Sequence, residues 1–192
     1  MRLILASGSP RRRALLEAAG FDFEVEESGV EEALRAGEPA EAFAQRVARE
    51  KALRVAASRP TESLILGADT VVVLDGEILG KPADAAQARR MLRRLSGRTH
   101  QVHTAVCLVR APQSVVAEAL ETTLVTFRDL DEREIRDYIV SGEPFDKAGG
   151  YGIQGRASKF VSGLEGSYSN VVGLPVERVA EILKPLLGSE PV

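Results

Sequence analysis

The chain has 192 residues, 44% of them hydrophobic and 28% charged, a composition ordinary for a globular domain. A chain of this length buries about 70% of its unfolded surface, so its core needs no disulfide or metal staple. Its 25 basic and 28 acidic residues sum to −3. That argues against binding DNA or RNA regardless of sequence, which needs an excess of Lys and Arg, while leaving room for a small anionic ligand.

The single cysteine, Cys107, lies in an apolar run and reads as a small buried hydrophobe. The stretch Met1 to Ala6 is too short for a secretory signal. No apolar run approaches the about 18 residues of a membrane span. A reducing, cytoplasmic location and no membrane partner are therefore expected.

In chain order, Leu3 to Ser7 predicts a short buried strand, and Ser9-Pro10 the N-cap and first turn of a helix ending at Gly20. Phe21, Phe23 and Val25 alternate with acidic residues, as on a half-buried strand. A polar loop with Glu31 and Glu32 precedes a long helix from Pro39 to about Ser58. Leu64 to Leu74 predicts a nearly continuous apolar strand, with a hairpin at Asp75-Gly76 and a short strand at Glu77 to Leu79. A helix follows from Asp84 to Leu95. Strands at Thr99 to Val109 and Val115 to Phe127, a helix at Asp131 to Val140 and a glycine-dense loop at Gly149 to Gly155 come next. A strand near Lys159 to Val161 and a helix from Pro175 to about Leu187 close the pattern. The fold class is α/β with a mixed sheet, in one domain over residues 1–192.

Five groups of residues suggest chemistry. Ser7-Gly8-Ser9-Pro10 leads a strand into a helix whose first turn carries Arg11, Arg12 and Arg13. Free amides at a helix start favour an anion, and each exposed cation there is unfavourable by about 0.3–1 kcal/mol, so a bound anion would relieve them. Three solvated surface arginines are the alternative. Asp69 interrupts the apolar run Gly67 to Val73. A carboxylate is costly to bury alone, which points to a metal ligand or a general base for water, or else to a bulge with structural hydrogen bonds.

Lys51 falls in the middle of the helical stripe Phe43, Ala44, Val47, Ala48 and Val55. It either snorkels past the edge or meets something negative. Lys81 precedes Pro82, which holds it extended; a surface lysine is the plainer reading, and the stretch is no P-loop, since its glycine spacing is one short. The stretch from Asp146 to Gly155 permits close backbone approach to a ligand. Within it Gln154 offers a donor and an acceptor that suit a nucleobase edge. A surface loop fits equally. His100 and His103 are three apart on a strand and make a poor metal pair. Arg89, Arg90, Arg93 and Arg94 read as a solvated helix face.

Together these stretches resemble the Maf family over nearly the whole chain. The resemblance rests on Leu3 to Arg12, Gly67-Ala68-Asp69-Thr70, Leu79-Gly80-Lys81-Pro82, Leu95-Ser96-Gly97-Arg98, the glycine loop and Val172-Gly173-Leu174-Pro175. It implies an elongated two-lobed fold with a deep cleft, similar to inosine-triphosphate pyrophosphatases. It also implies metal-dependent hydrolysis of a nucleoside triphosphate to its monophosphate and pyrophosphate.

By the same resemblance Asp69 is the proton acceptor, with Arg11, Arg12, Lys51 and Lys81 facing phosphates alongside Ser7 and Ser9. Glu31 and Asp69 hold magnesium or manganese, and Arg11, Thr70 and Gln154 bear on substrate choice. Tyr151 to Gly155 resembles the branch acting on dTTP and UTP. Gly150 stands where that branch more usually has alanine. The resemblance suggests a homodimer. Three alternatives stay open: a nucleotide-binding regulator of septum formation with little turnover, a 7-methyl-GTP pyrophosphatase, and an enzyme for modified nucleotides.

Overall fold

The computed structural model describes residues 1–59 and 62–187. Its elements in chain order are β1 (Arg2–Leu5), α1 (Pro10–Ala18), β2 (Glu24–Val25), α2 (Ala40–Ala56), β3 (Ser63–Leu74), β4 (Glu77–Leu79) and α3 (Ala85–Leu95). There follow β5 (Thr99–Arg110), β6 (Ser114–Phe127), α4 (Glu132–Val140), β7 (Val161–Glu165), α5 (Tyr168–Val172) and α6 (Val176–Leu187). The strands form one seven-stranded mixed sheet in the order β2-β1-β3-β5-β6-β7, with β4 on β3. β1 runs parallel to β2 and β3, while β4 is antiparallel to β3 and β7 to β6. The expected α/β class with a mixed sheet is therefore the observed one.

The chain divides into two units. The first comprises Met1–Asp69, Thr104–Glu121 and Gly173–Val192; the second comprises Thr70–His103 and Thr122–Val172. In the first, Leu3, Leu5, Leu64, Leu66, Val106 and Leu108 form a core with Leu16 of α1 and Val179 and Leu183 of α6. In the second, Val72, Leu79, Leu92, Val125, Phe127, Ile135, Tyr138 and Phe160 form another. Each fully buried large side chain contributes about 1.5–3 kcal/mol, and the entropy of ordering the chain offsets most of that sum.

Local chemistry explains the boundaries. Ser9 caps α1 by accepting from the Arg12 amide, Asp84 caps α3 by accepting from Gln87, and Asp131 with Glu134 forms a capping box on α4. Asp75 (φ 53°) and Gly76 (φ 79°) make the tight β3–β4 turn, for which both central residues need positive φ.

Two expectations need correction, and one element lies outside them. The alternation at Phe21 to Val25 yields a strand of only Glu24 and Val25. Phe21 and Phe23 reach the core from irregular backbone, and Val25 is 44% exposed. Lys159 and Phe160 lie in a 3₁₀ turn, and β7 begins at Val161. The short helix α5 was unforeseen; it starts where Ser167 Oγ accepts from the Asn170 amide.

Candidate active site

In the first unit, strand register assembles most of the predicted groups. Leu5 of β1 lies beside Leu66 of β3, and the Ala6 amide donates to the Leu66 carbonyl at 2.9 Å. Just past this paired stretch, β1 leads into the Ser7–Arg12 turn and β3 reaches Asp69. Carboxyl ends of parallel strands are where α/β sheets present ligand-binding groups.

Helix α2 packs against β3 at very close range. Its inner face is Ala44, Ala48, Ala52 and Ala56, all fully buried. A Cβ on Gly67 would overlap the Ala48 carbonyl oxygen and stand 2.8 Å from the Ala52 nitrogen. Only glycine therefore admits this approach. Lys51, between those alanines, is 6% exposed. Its Nζ donates to Asp69 Oδ1 at 2.7 Å and to Glu32 Oε1 at 2.6 Å. The lysine therefore meets two negative groups rather than snorkelling to water.

Asp69 is 5% exposed. Burial pushes its carboxyl above the ordinary carboxylate range, while the charges of Lys51 and Arg12 and the Lys51 hydrogen bond pull it back; Glu32 pushes it further up. It is a buried carboxylate with a cationic partner.

The three arginines separate. Arg12 is buried; its Nε donates to the Gly173 carbonyl at 2.7 Å and its Nη1 to Ser7 Oγ at 3.3 Å. Burial draws its pKa down against the favourable fields of Asp69 and Glu32, and Arg11 adds to the lowering. Arg13 is exposed and pairs with Glu17 one turn along at 2.7 Å. Arg11 is half-buried. Ser7 and Ser9 line the turn, the Ser7 hydroxyl also accepting from the Ser9 amide at 3.3 Å. A Cβ on Gly8 would collide with the Glu27 carboxylate, so the turn also carries an acidic neighbour.

Glu31 is exposed, and it is the adjacent Glu32 whose carboxylate reaches Lys51. No periodicity in that loop could have told the two apart. Among the described residues no three His, Cys, Asp or Glu side chains group as a self-sufficient metal cage. Two carboxylates sharing one lysine nitrogen nevertheless suit a hard divalent ion. Magnesium takes one or two protein carboxylates and completes its shell with water and substrate phosphate.

In the second unit, Thr70 is half-buried on β3, and Lys81 and Gln154 are exposed. The Gly149 amide donates to the Gly80 carbonyl at 3.0 Å, tying the glycine loop to the turn that carries Lys81. Gly149 (φ 69°) lies against Val72, where a Cβ would stand 2.9 Å from the valine Cγ1. The loop is anchored rather than loose, because Tyr151 and Ile153 are buried. Gly150 has φ 71°, which favours glycine, although a Cβ would make only ordinary contacts, with Pro82 at 3.6 Å and Met91 at 3.8 Å.

His100 and His103 go to different partners, Tyr151 and Thr122. The arginine face of α3 is solvated and paired: Arg89 and Arg93 with Glu132, Arg94 with Glu77. Cys107 is buried, and burial raises its thiol pKa to about 12. No helix among the described residues is long and apolar enough to cross a membrane.

The chain is 53% identical over 184 residues to a dTTP/UTP pyrophosphatase of Koribacter versatilis, covering 96% of this chain and 94% of the relative. It is 54% identical over 181 residues to a dTTP/UTP pyrophosphatase of Salmonella typhimurium, covering 94% and 91%. Its fold is similar to that of a HAM1 protein from Coxiella burnetii, with a TM-score of 0.51 at 15% identity over 95% of this chain and 98% of that one. The family model for Maf-like protein matches residues 2–186, and the chain belongs to the Maf family.

Proposed function

We propose that the chain hydrolyses dTTP and UTP to the nucleoside monophosphate and pyrophosphate. The observation that carries the reading is Asp69, a buried carboxylate gripped through Oδ1 by Lys51 beside the Arg12 turn. The names of the two relatives support the base preference.

In this reading Asp69 Oδ2 accepts the proton of a water that attacks the α-phosphorus. The bond from that phosphorus to the α–β bridging oxygen breaks, and pyrophosphate leaves with the electron pair. A base with a pKa above the ordinary carboxylate range takes a proton more readily, which suits the step. Lys51 fixes the carboxylate. Arg11, Arg12 and Lys81, with the Ser7 and Ser9 hydroxyls, bind the triphosphate and stabilise charge developing on the leaving group. Thr70 and Gln154 discriminate the base. Asp69 with Glu31 or Glu32 would hold magnesium or manganese, which supplies charge neutralisation to the phosphates.

The test is hydrolysis of dTTP, UTP, CTP, GTP, ATP and 7-methyl-GTP in ¹⁸O-labelled water, with and without a chelator. Expected are label in the monophosphate, pyrophosphate as the other product, fastest turnover of dTTP and UTP, and loss of activity on chelation. Label in orthophosphate would overturn the reaction. Faster 7-methyl-GTP turnover would overturn the base preference, and binding without turnover would favour a regulator.

A further inference from the structure

We propose that His100 is a positioning residue for base recognition: it fixes Tyr151, and Tyr151 fixes the loop that presents Gln154. The inference deepens the reading of Gln154 given above and rests on it.

His100 sits on β5 and is 2% exposed. Its Nε2 lies 2.7 Å from Tyr151 Oη. The imidazole meets the edges of Phe127 and Tyr151 at centroid distances of 5.1 and 5.3 Å, and Phe127 meets Tyr151 at 4.7 Å. Nδ1 of His100 is buried with no partner. If Nε2 donated, both Nδ1 and the tyrosine hydrogen would be orphaned. If Tyr151 donates to Nε2, only the Nδ1 hydrogen is orphaned. The second arrangement leaves fewer unmet groups, so the tyrosine is the donor.

A buried imidazole with an orphaned nitrogen is a poor choice for packing alone, because phenylalanine would fill the same aromatic cluster without it. The hydrogen bond is what the histidine adds. It acts on a loop whose path depends on glycine and whose anchorage therefore falls to its buried side chains: Gly149 and Gly150 have φ 69° and 71°, and Gly152 adds no side chain. The Gly149–Gly80 bond ties one end, and Glu143 accepts from the Arg156 amide at 3.2 Å at the other. Between these ties, among the described residues, Tyr151 is the loop side chain held by a hydrogen bond. Gln154 is three residues on, exposed, with no capping bond of its own. Its place follows the backbone that Tyr151 sets.

The test compares wild type, Tyr151→Phe, His100→Gln and the double variant His100→Phe/Tyr151→Phe. The double variant removes both polar groups together, so its melting temperature should equal or exceed that of wild type. Its KM for dTTP should still rise about tenfold with little change in kcat, and its preference for dTTP over GTP should fall about as much. That is less than the ~10² expected when reacting groups are misplaced by 1 Å. His100→Gln, which keeps an acceptor for Tyr151, should retain most of the preference. In a Gln154→Ala background the double variant should change it no further.

Tyr151→Phe, which loses one oxygen, carries the test if the double variant does not fold. Unchanged KM and preference in a folded variant would overturn the proposal while leaving the pyrophosphatase reading intact. A wild type with no base preference would overturn both this proposal and the reading of Gln154 on which it rests, and would leave the release of pyrophosphate untouched.

Discussion

Replacing Lys51 by methionine tests the buried charge network most directly, and its effect should depend on pH in a set direction. Methionine keeps the stem volume and removes the ammonium that holds Asp69 at 2.7 Å and Glu32 at 2.6 Å. Glu32 lies near solvent and relaxes into water. Asp69 is 5% exposed and has no such escape. Removing one partner of a buried pair costs about 3–5 kcal/mol. The low end, about 3 kcal/mol, applies here because the Arg12 charge still favours the carboxylate.

The sign follows from Asp69. Burial already holds its carboxyl above the ordinary range, against the pull of Lys51 and then Arg12, and losing Lys51 raises it further. A raised folded pKa means the native state binds the proton more tightly than the unfolded chain does. The penalty is therefore complete at alkaline pH and fades as pH falls through the folded pKa, by at most about 1.4 kcal/mol per unit. Urea denaturation of wild type and Lys51→Met at pH 8, 7, 6 and 5 measures it. The gap should narrow steadily on acidification, and adding Asp69→Asn should close most of it at pH 8. A gap independent of pH, or one that the second substitution leaves open, would refute the claim that Lys51 balances a buried Asp69 charge.

Other predictions follow from the same geometry. Asp69→Asn should lower kcat by about 10² or more yet fold, since Lys51 retains Glu32; single-turnover kinetics with a melting curve decides. Gly67→Ala should destabilise by about 3 kcal/mol, because a Cβ would stand 2.8 Å from the Ala52 nitrogen and overlap the Ala48 carbonyl; trimming neighbouring side chains should not rescue it, because backbone is what it strikes. His100, pushed by burial from 6.5 down to about 4, contributes stability that is present above 6.5 and is lost as pH falls toward the folded value. Urea midpoints from pH 7 to 4 should fall less steeply in His100→Phe/Tyr151→Phe, the difference approaching about 3 kcal/mol.

Much of this site was legible because charge appeared where period and polarity forbid it. Lys51 stood out on an apolar helical stripe and Asp69 in an apolar strand, and both are buried and bonded to each other. What the sequence hid depends on contacts far along the chain. Arg11, Arg12 and Arg13 are equivalent as letters, and it is burial with bonds to Ser7 and to the distant carbonyl of Gly173 that singles out Arg12. Glu31 and Glu32 occupy a loop without periodicity, so the letters do not say that Glu32 is the one whose carboxylate reaches Lys51. The bond from His100 to Tyr151 spans 51 positions, and no local pattern announces it. The fold shows the same division: caps and turns marked most helix ends, whereas β2 shrank to two residues because strand pairing, not alternation, decides strand length.

The alanines of α2 and the glycine of β3 join packing to chemistry. Alanine has the best intrinsic helix propensity, and a row of alanines also presents the thinnest helix face. Opposite Gly67, that face brings the helix backbone nearly against the strand. A lysine on a helix normally extends toward water, but here it is buried and its nitrogen meets Asp69, two residues past the glycine. A larger residue at position 48, 52 or 67 would lift α2 and lengthen the 2.7 Å bond, leaving a carboxylate whose burial no longer has its nearest cation. The close approach therefore sets the distance at which Lys51 meets Asp69. That is why residues with no functional group belong to the same arrangement as the charged pair they hold together.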